Sequence, residues 1–97
     1  MTRDFMLPDA TLTGSGLDVR RRRILFRATH RGTKETDLLV GGFVARHVAE
    51  MDDAALDAIE AVLELPDPDL AAWLTGRRAV PEEMQSDMLR AILAATR

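Results

Sequence analysis

The sequence predicts an all-α fold, a small single-domain antiparallel bundle of five short helices, and three observations carry that prediction. Its apolar residues are mainly Leu, Ala, Val, Ile and Met, with three Phe, one Trp and no Tyr, a composition that favours helix packing over a sheet. These residues recur along the chain at three- and four-residue spacing, the period of one helix face. Helix start and stop signals punctuate the pattern, most clearly in "LPDPDLAAWLTG", Leu65 to Gly76. A chain of 97 residues builds one hydrophobic core and leaves little room for a deep cleft.

Residues 1–15 contain Pro8 and Gly14 with only scattered apolar residues, and read as a flexible leader to a helical domain over 16–97. A first helix is expected over Leu17–His30, with Leu17, Ile24, Leu25 and Ala28 at helical spacing and Gly32 as its stop. A second runs from about Lys34 to Ala49, its apolar face read as Leu38, Leu39, Phe43, Val44 and His47, continued by Val48 and Met51. Gly41-Gly42 in its middle costs about 1 kcal/mol per glycine against alanine, so a kink or a close helix contact is expected there. Asp52 or Asp53 caps a third helix whose apolar face is Leu56, Ile59, Val62 and Leu63. In the fourth, Asp67 reads as the N-cap, Pro68 as the first helical residue and Asp69 as an acid near the positive end of the helix dipole. That segment is too short to be stable alone and needs burial of Leu70, Trp73 and Leu74. Pro81 then opens a fifth helix, with Glu82 and Glu83 in its first turn and Met84, Met88, Ile92 and Ala95 on one face.

Several function classes drop out on composition. With no cysteine there is no disulfide framework, thiolate nucleophile or Cys-ligated metal site. The longest apolar run, Leu38 to Ala45, is far short of the roughly 20 residues that span a bilayer. The N-terminus lacks the Arg-rich, acid-poor character of a transit peptide, since Asp4 and Asp9 interrupt it, and a bacterial cytoplasmic location is expected. The net charge of -3 conceals a division: Arg20 to Lys34 holds six Arg, one Lys and no acid, and Ala49 to Leu70 holds eight acids and no base. An asymmetry of this kind points to a partner surface more than the total charge does.

Chemistry-bearing residues are few. His30 and His47 are 17 residues apart, which is no metal-ligand spacing. Gly41-Gly42 lacks the surroundings of a phosphate-binding loop, which disfavours nucleotide binding. Glu35 and Asp37 point about 200° apart on a helix and so cannot share a proton or a metal from one face. They read either as first-turn acids favoured by the helix dipole or, with Arg31, as groups projecting from a helix corner toward a partner. Arg20 to Arg23 supplies the alternative function, a nucleic-acid contact through a basic helix face, against which stand the acidic total and the lack of interleaved aromatic residues beyond Phe26. Trp73 reads as a core anchor.

Taken in order, Arg31-Gly32-Thr33-Lys34-Glu35-Thr36-Asp37 followed by an apolar segment, then Asp67-Pro68-Asp69-Leu70 with Trp73-Leu74, resemble the SdhE family of succinate dehydrogenase flavinylation factors. The family signature is Arg-Gly-x-x-Glu, usually with an Asp two residues later, and the later Asp-Pro-Asp-Leu-x-x-Trp-Leu is equally characteristic. The resemblance covers roughly Leu17 to Leu93. It implies a five-helix bundle without enzymatic activity or a tightly bound cofactor of its own. Its implied partner is the flavoprotein subunit of succinate dehydrogenase, with that of fumarate reductase a second candidate, and its implied role is to promote covalent attachment of FAD to a histidine of that subunit. Arg31, Gly32 and Glu35 match the motif that contacts the flavoprotein, with Asp37 supporting the same surface. The chain departs from the family pattern at Thr36, where an apolar residue is common, and at His30, where a basic one is. A monomer is expected, with a dimer through the Phe43–Val44 region the alternative.

Overall fold

In the computed structural model residues 16–96 are described, and the leader expected over 1–15 lies outside them. Among the described residues there are five α-helices and no strand: α1 Val19–Thr29, α2 Lys34–His47, α3 Asp53–Leu63, α4 Asp67–Leu74 and α5 Asp87–Ala95. Single 3-10 turns, Val48–Glu50 and Glu82–Met84, follow α2 and precede α5. The all-α prediction is borne out.

Each start is set by a short polar side chain that accepts a backbone N–H. Asp18 accepts from Arg21 ahead of α1, Thr33 from Thr36 ahead of α2, Asp52 from Ala55 ahead of α3 and Ser86 from Leu89 ahead of α5. Such caps are worth about 1 kcal/mol each. Helix α4 differs from its expectation: Pro66 is the capping residue, Asp67 is the first helical residue and Pro68 the second. The Asp67 carboxylate is engaged elsewhere, by Arg31. At the other end of α4, Gly76 (φ +80°) closes a Schellman motif, with the Arg77 N–H donating to Ala72 O at 2.8 Å and the Gly76 N–H to Trp73 O at 3.2 Å.

The fifth helix begins later than Pro81 implies. Pro81 leads only the 3-10 turn, Gln85 is extended, and the Ser86 hydroxyl starts α5 by accepting the Leu89 N–H at 3.1 Å. Met84 and Ala95 are consequently exposed, and Leu89 and Ile92 form the buried face, with Met88 and Leu93 packed against it.

Helices α1 and α2 form an antiparallel hairpin, and α2 is central, packing also on α4 and α5. Ile24, Leu25 and Ala28 of α1 meet Val40, Phe43 and Val44 of α2, with Leu56 and Ile59 of α3, Leu70 and Trp73 of α4, and Leu89 and Ile92 of α5 completing one core. Trp73 is the expected anchor at 5% exposure, although its indole N–H is buried without a hydrogen-bond partner. The buried face of α2 includes the expected Phe43 and Val44, with Val48 and Met51 beyond them, but it takes in Thr36, Val40, Gly41 and Ala45, while Leu38, at 64%, and His47 are exposed.

Gly41 explains why Leu38 turns outward. A Cβ on Gly41 would lie 2.8 Å from Thr29 Cγ2, 3.1 Å from Ala28 O and 3.2 Å from Thr29 Cα, so α1 crosses α2 directly over this residue. The expected alternative of a close contact is the one realised, and α2 runs unbroken through it. Gly41→Ala should destabilise the domain by about 2 kcal/mol despite alanine's better helix propensity, because two of the three obstructing atoms are backbone. A urea titration checks this; an unchanged midpoint would mean the hairpin relaxes freely.

Candidate functional site at the first helix corner

Four residues, 30–33, turn the chain from α1 into α2. His30 stacks on Phe26 with ring centroids 4.0 Å apart. Gly32 has φ +105°, where a side chain is strained, and the space over its Cα is open within 4 Å. Thr36 is fully buried, and its hydroxyl bonds that of the capping residue Thr33. Asp37 reaches back across the turn, its Oδ1 accepting the Arg31 N–H at 2.6 Å. Both acids lie in the first turn of α2, but only Asp37 closes the corner.

Arg31 does not project as the corner reading expected. Its side chain is only 9% exposed, and the guanidinium is turned into the domain. Nε donates to Asp67 Oδ1 at 2.6 Å, Nη1 to Leu63 O at 2.8 Å and Nη2 to Leu65 O at 2.6 Å. Leu63 ends α3 and Asp67 begins α4, so one planar fork gathers carbonyls at a helix C-terminus and a carboxylate at the next N-terminus. Three donors of one rigid fork thus reach three separate acceptors, which arginine can do and lysine cannot. Through it the first motif is tied to the second, 36 residues later. Asp67 as this partner escaped the sequence reading, since no local signal marks a contact at that separation.

Glu35 is the contrast. It is exposed, and among the described residues its carboxylate has no hydrogen bond or ion pair to another side chain or backbone group. The structure therefore brings Arg31, Gly32 and Asp37 together as the frame of the corner, and Glu35 stands on its outer side.

The charge division is largely satisfied within the chain. Arg20 Nη2 lies 2.6 Å from Asp57 Oδ1 and 2.7 Å from Glu60 Oε1, and Arg27 Nη2 lies 2.6 Å from Glu64 Oε2. One face of α1 thus lies along the acidic face of α3. Hydrogen bonds from Arg20 hold the Glu60 carboxyl below its ordinary value of 4.5 and raise the Arg20 guanidinium further. The backbone N–H of Arg21 lowers Asp18 in the same way. Arg21 also caps the next connection, donating to Val48 O at 3.0 Å and Met51 O at 2.5 Å. Exposed pairs of this kind contribute little stability each, but they engage Arg20, Arg21 and Arg27 of the basic segment within the chain. Arg22 and Arg23 remain on the outer surface of α1.

Two shallow grooves lie away from this corner. One, of about 420 Å³, is bounded by Trp73, Val80, Leu89, Arg90 and Leu93, and the other, of about 440 Å³, by Phe43, His47, Met51 and Met88. No helix among the described residues is long and apolar enough to cross a membrane.

The described residues thus form a helical domain with a stiff corner, an open glycine and, at Glu35, an exposed carboxylate that none of them pairs. The profile described as "Flavinator of succinate dehydrogenase" matches residues 22–96, and the chain belongs to that family. A protein of Acetobacter pasteurianus called FAD assembly factor SdhE is 45% identical over 95 residues, 93% of this chain and 87% of that one. The mitochondrial succinate dehydrogenase assembly factor 2 of Dictyostelium discoideum is 30% identical over 78 residues, 80% of this chain and 55% of its own length. That of Arabidopsis thaliana is 38% identical over 65 residues, 67% of this chain and 35% of its length. The chain thus spans most of the bacterial relative and about half or less of these mitochondrial ones. No solved structure matches it significantly.

Proposed function

We propose that this protein is an assembly factor that binds the flavoprotein subunit of succinate dehydrogenase and promotes covalent attachment of FAD to it. Membership of the flavinator family supports the reading, as does the name of the Acetobacter relative. The structural observation that carries it is the corner itself: Arg31 and Asp37 stiffen the turn from inside, while Glu35 and the open backbone at Gly32 face outward. In this reading Glu35 and Gly32 touch the flavoprotein, and Arg31 and Asp37 belong to the site by holding them in place. The protein acts in the cytoplasm without a cofactor or a catalytic group of its own, and the flavoprotein of fumarate reductase is a second partner.

The physical basis is orientation. Joining a flavin methyl carbon to a histidine nitrogen needs the two held at near-attack distance, and positioning alone contributes several kcal/mol to such steps. A domain that binds one arrangement of the flavoprotein better than others shifts its population by that difference in affinity. A preformed corner serves this well, since little ordering cost is paid on contact.

Covalent flavin on the cognate flavoprotein, produced with and without this protein and read by denaturing-gel fluorescence and intact mass, tests the reading. The rate at which the flavinylated fraction accumulates should rise about tenfold or more with the protein present, a barrier change of roughly 1.4 kcal/mol or greater. An unchanged fraction on a flavoprotein competent to bind FAD would contradict it.

A further inference from the structure

The outward face of α2 carries two residues that the fold does not explain. Glu35, Leu38, Gly42 and Arg46 follow one another at helical spacing and share one side of the helix, opposite the buried Thr36, Val40, Phe43 and Val44. Leu38 is 64% exposed although α2 has an apolar core face of its own. Gly42 sits in a helix interior, where glycine is disfavoured, yet a Cβ there would meet only Arg46 Nη1, at 3.5 Å. That is ordinary contact with the tip of a flexible side chain. Nothing among the described residues requires this glycine, in contrast to Gly41 beside it.

We propose that the strip from Glu35 through Leu38 to Gly42 and Arg46 is a docking surface for the flavoprotein subunit, extending its contact from the corner down α2. This rests on the proposed function above. The occupant follows from continuity and charge: Leu38 lies one turn below Glu35, the unpaired carboxylate of the corner, on the same face. A partner segment that meets Glu35 with a hydrogen-bond donor or a cation is carried along the helix onto Leu38. It packs an apolar side chain beside Leu38, comes against the bare backbone at Gly42, and places an acidic group by Arg46. The strip is about 16 Å long, and covering Leu38 with a partner's apolar side chain takes its exposed surface out of water.

The test pairs the melting temperature of the isolated protein with its Kd for the purified flavoprotein subunit. Gly42→Ala should melt about 4 °C higher, because alanine is the better helix former, and bind about fivefold more weakly or worse. Leu38→Ser should melt within about 2 °C of the parent and bind about tenfold more weakly or worse. Met84→Ser, which alters an exposed apolar residue ahead of α5, should change neither. If both α2 variants bind as the parent does while Glu35→Ala loses affinity, the strip is overturned and the assembly-factor reading stands. If the parent itself does not bind the flavoprotein, that reading falls and the strip with it. If Leu38→Ser leaves flavoprotein binding intact but turns a parent dimer into a monomer in sedimentation, the face belongs to a second copy of the chain and the proposal is overturned.

Discussion

Arg31→Ala is expected to cost the domain about 3 kcal/mol and to lower its melting temperature by about 12 °C or more. The guanidinium is 9% exposed and serves one carboxylate and two carbonyls, all at 2.6–2.8 Å. Its removal leaves Asp67 without its cation in a partly covered site, and leaves the carbonyls of Leu63 and Leu65 without these donors at the join of α3 and α4. Truncating one member of such an arrangement costs more than forming it contributes, because the remaining polar groups stay desolvated. Arg31→Lys should recover only a minor part, since one ammonium cannot reproduce the planar fork. Urea titration by circular dichroism, with an unchanged slope and a lower midpoint, checks the expectation. Stability equal to the parent's would mean that the arginine is not committed to the interior and is free to meet a partner.

Glu35→Ala should behave in the opposite way. The side chain is exposed and makes no contact the fold depends on, and alanine's higher helix propensity offsets the small dipole contribution of a first-turn acid. Stability should therefore stay within about 0.5 kcal/mol of the parent. Affinity for the flavoprotein should fall about 30-fold or more, the usual scale for truncating one partner of a charged hydrogen bond enclosed at an interface. Titration calorimetry or surface binding against the purified subunit measures it. The two substitutions together separate a residue that builds the corner from one that the corner presents, although they stand four positions apart in the same motif.

Most of the helical scaffold was legible in the sequence because local chemistry determines it. Asp52 caps α3 as expected, Gly32 and Gly76 take positive φ at helix ends, and Leu56, Ile59, Val62 and Leu63 are buried at the expected spacing, whereas the caps Asp18, Thr33 and Ser86, though equally local, did not enter the reading. The face of α2 was harder to read. Leu38, Leu39 and Val40 are three consecutive apolar residues, and which of them turns inward depends on α1 crossing over Gly41, a contact between separate helices. Pro81 was misleading for a related reason: it is an acceptable first helical residue, but the Ser86 hydroxyl captures the Leu89 N–H and α5 starts at Asp87, six residues later.

The candidate site was legible as a set of residues and not as a geometry. Motif spacing located Arg31, Gly32, Glu35 and Asp37, yet the direction of each side chain depends on groups far along the chain. Asp67, which turns Arg31 inward, is 36 residues away, and Asp57, Glu60 and Glu64, which occupy Arg20 and Arg27, are equally remote. A charge division visible in the sequence could signify an external partner or internal pairing with equal plausibility, and the parallel course of α1 and α3 decides for the second in much of the basic run.

The most direct test of the account is the covalently flavinylated fraction of the cognate succinate dehydrogenase flavoprotein, measured by intact mass after production alone, with the parent protein and with Glu35→Ala at equal folded concentration. The account predicts a high fraction with the parent, and with Glu35→Ala a fraction close to that of the flavoprotein produced alone. A Glu35→Ala protein that supports flavinylation as fully as the parent would contradict it, because Glu35 is the charged side chain through which the corner acts in this account.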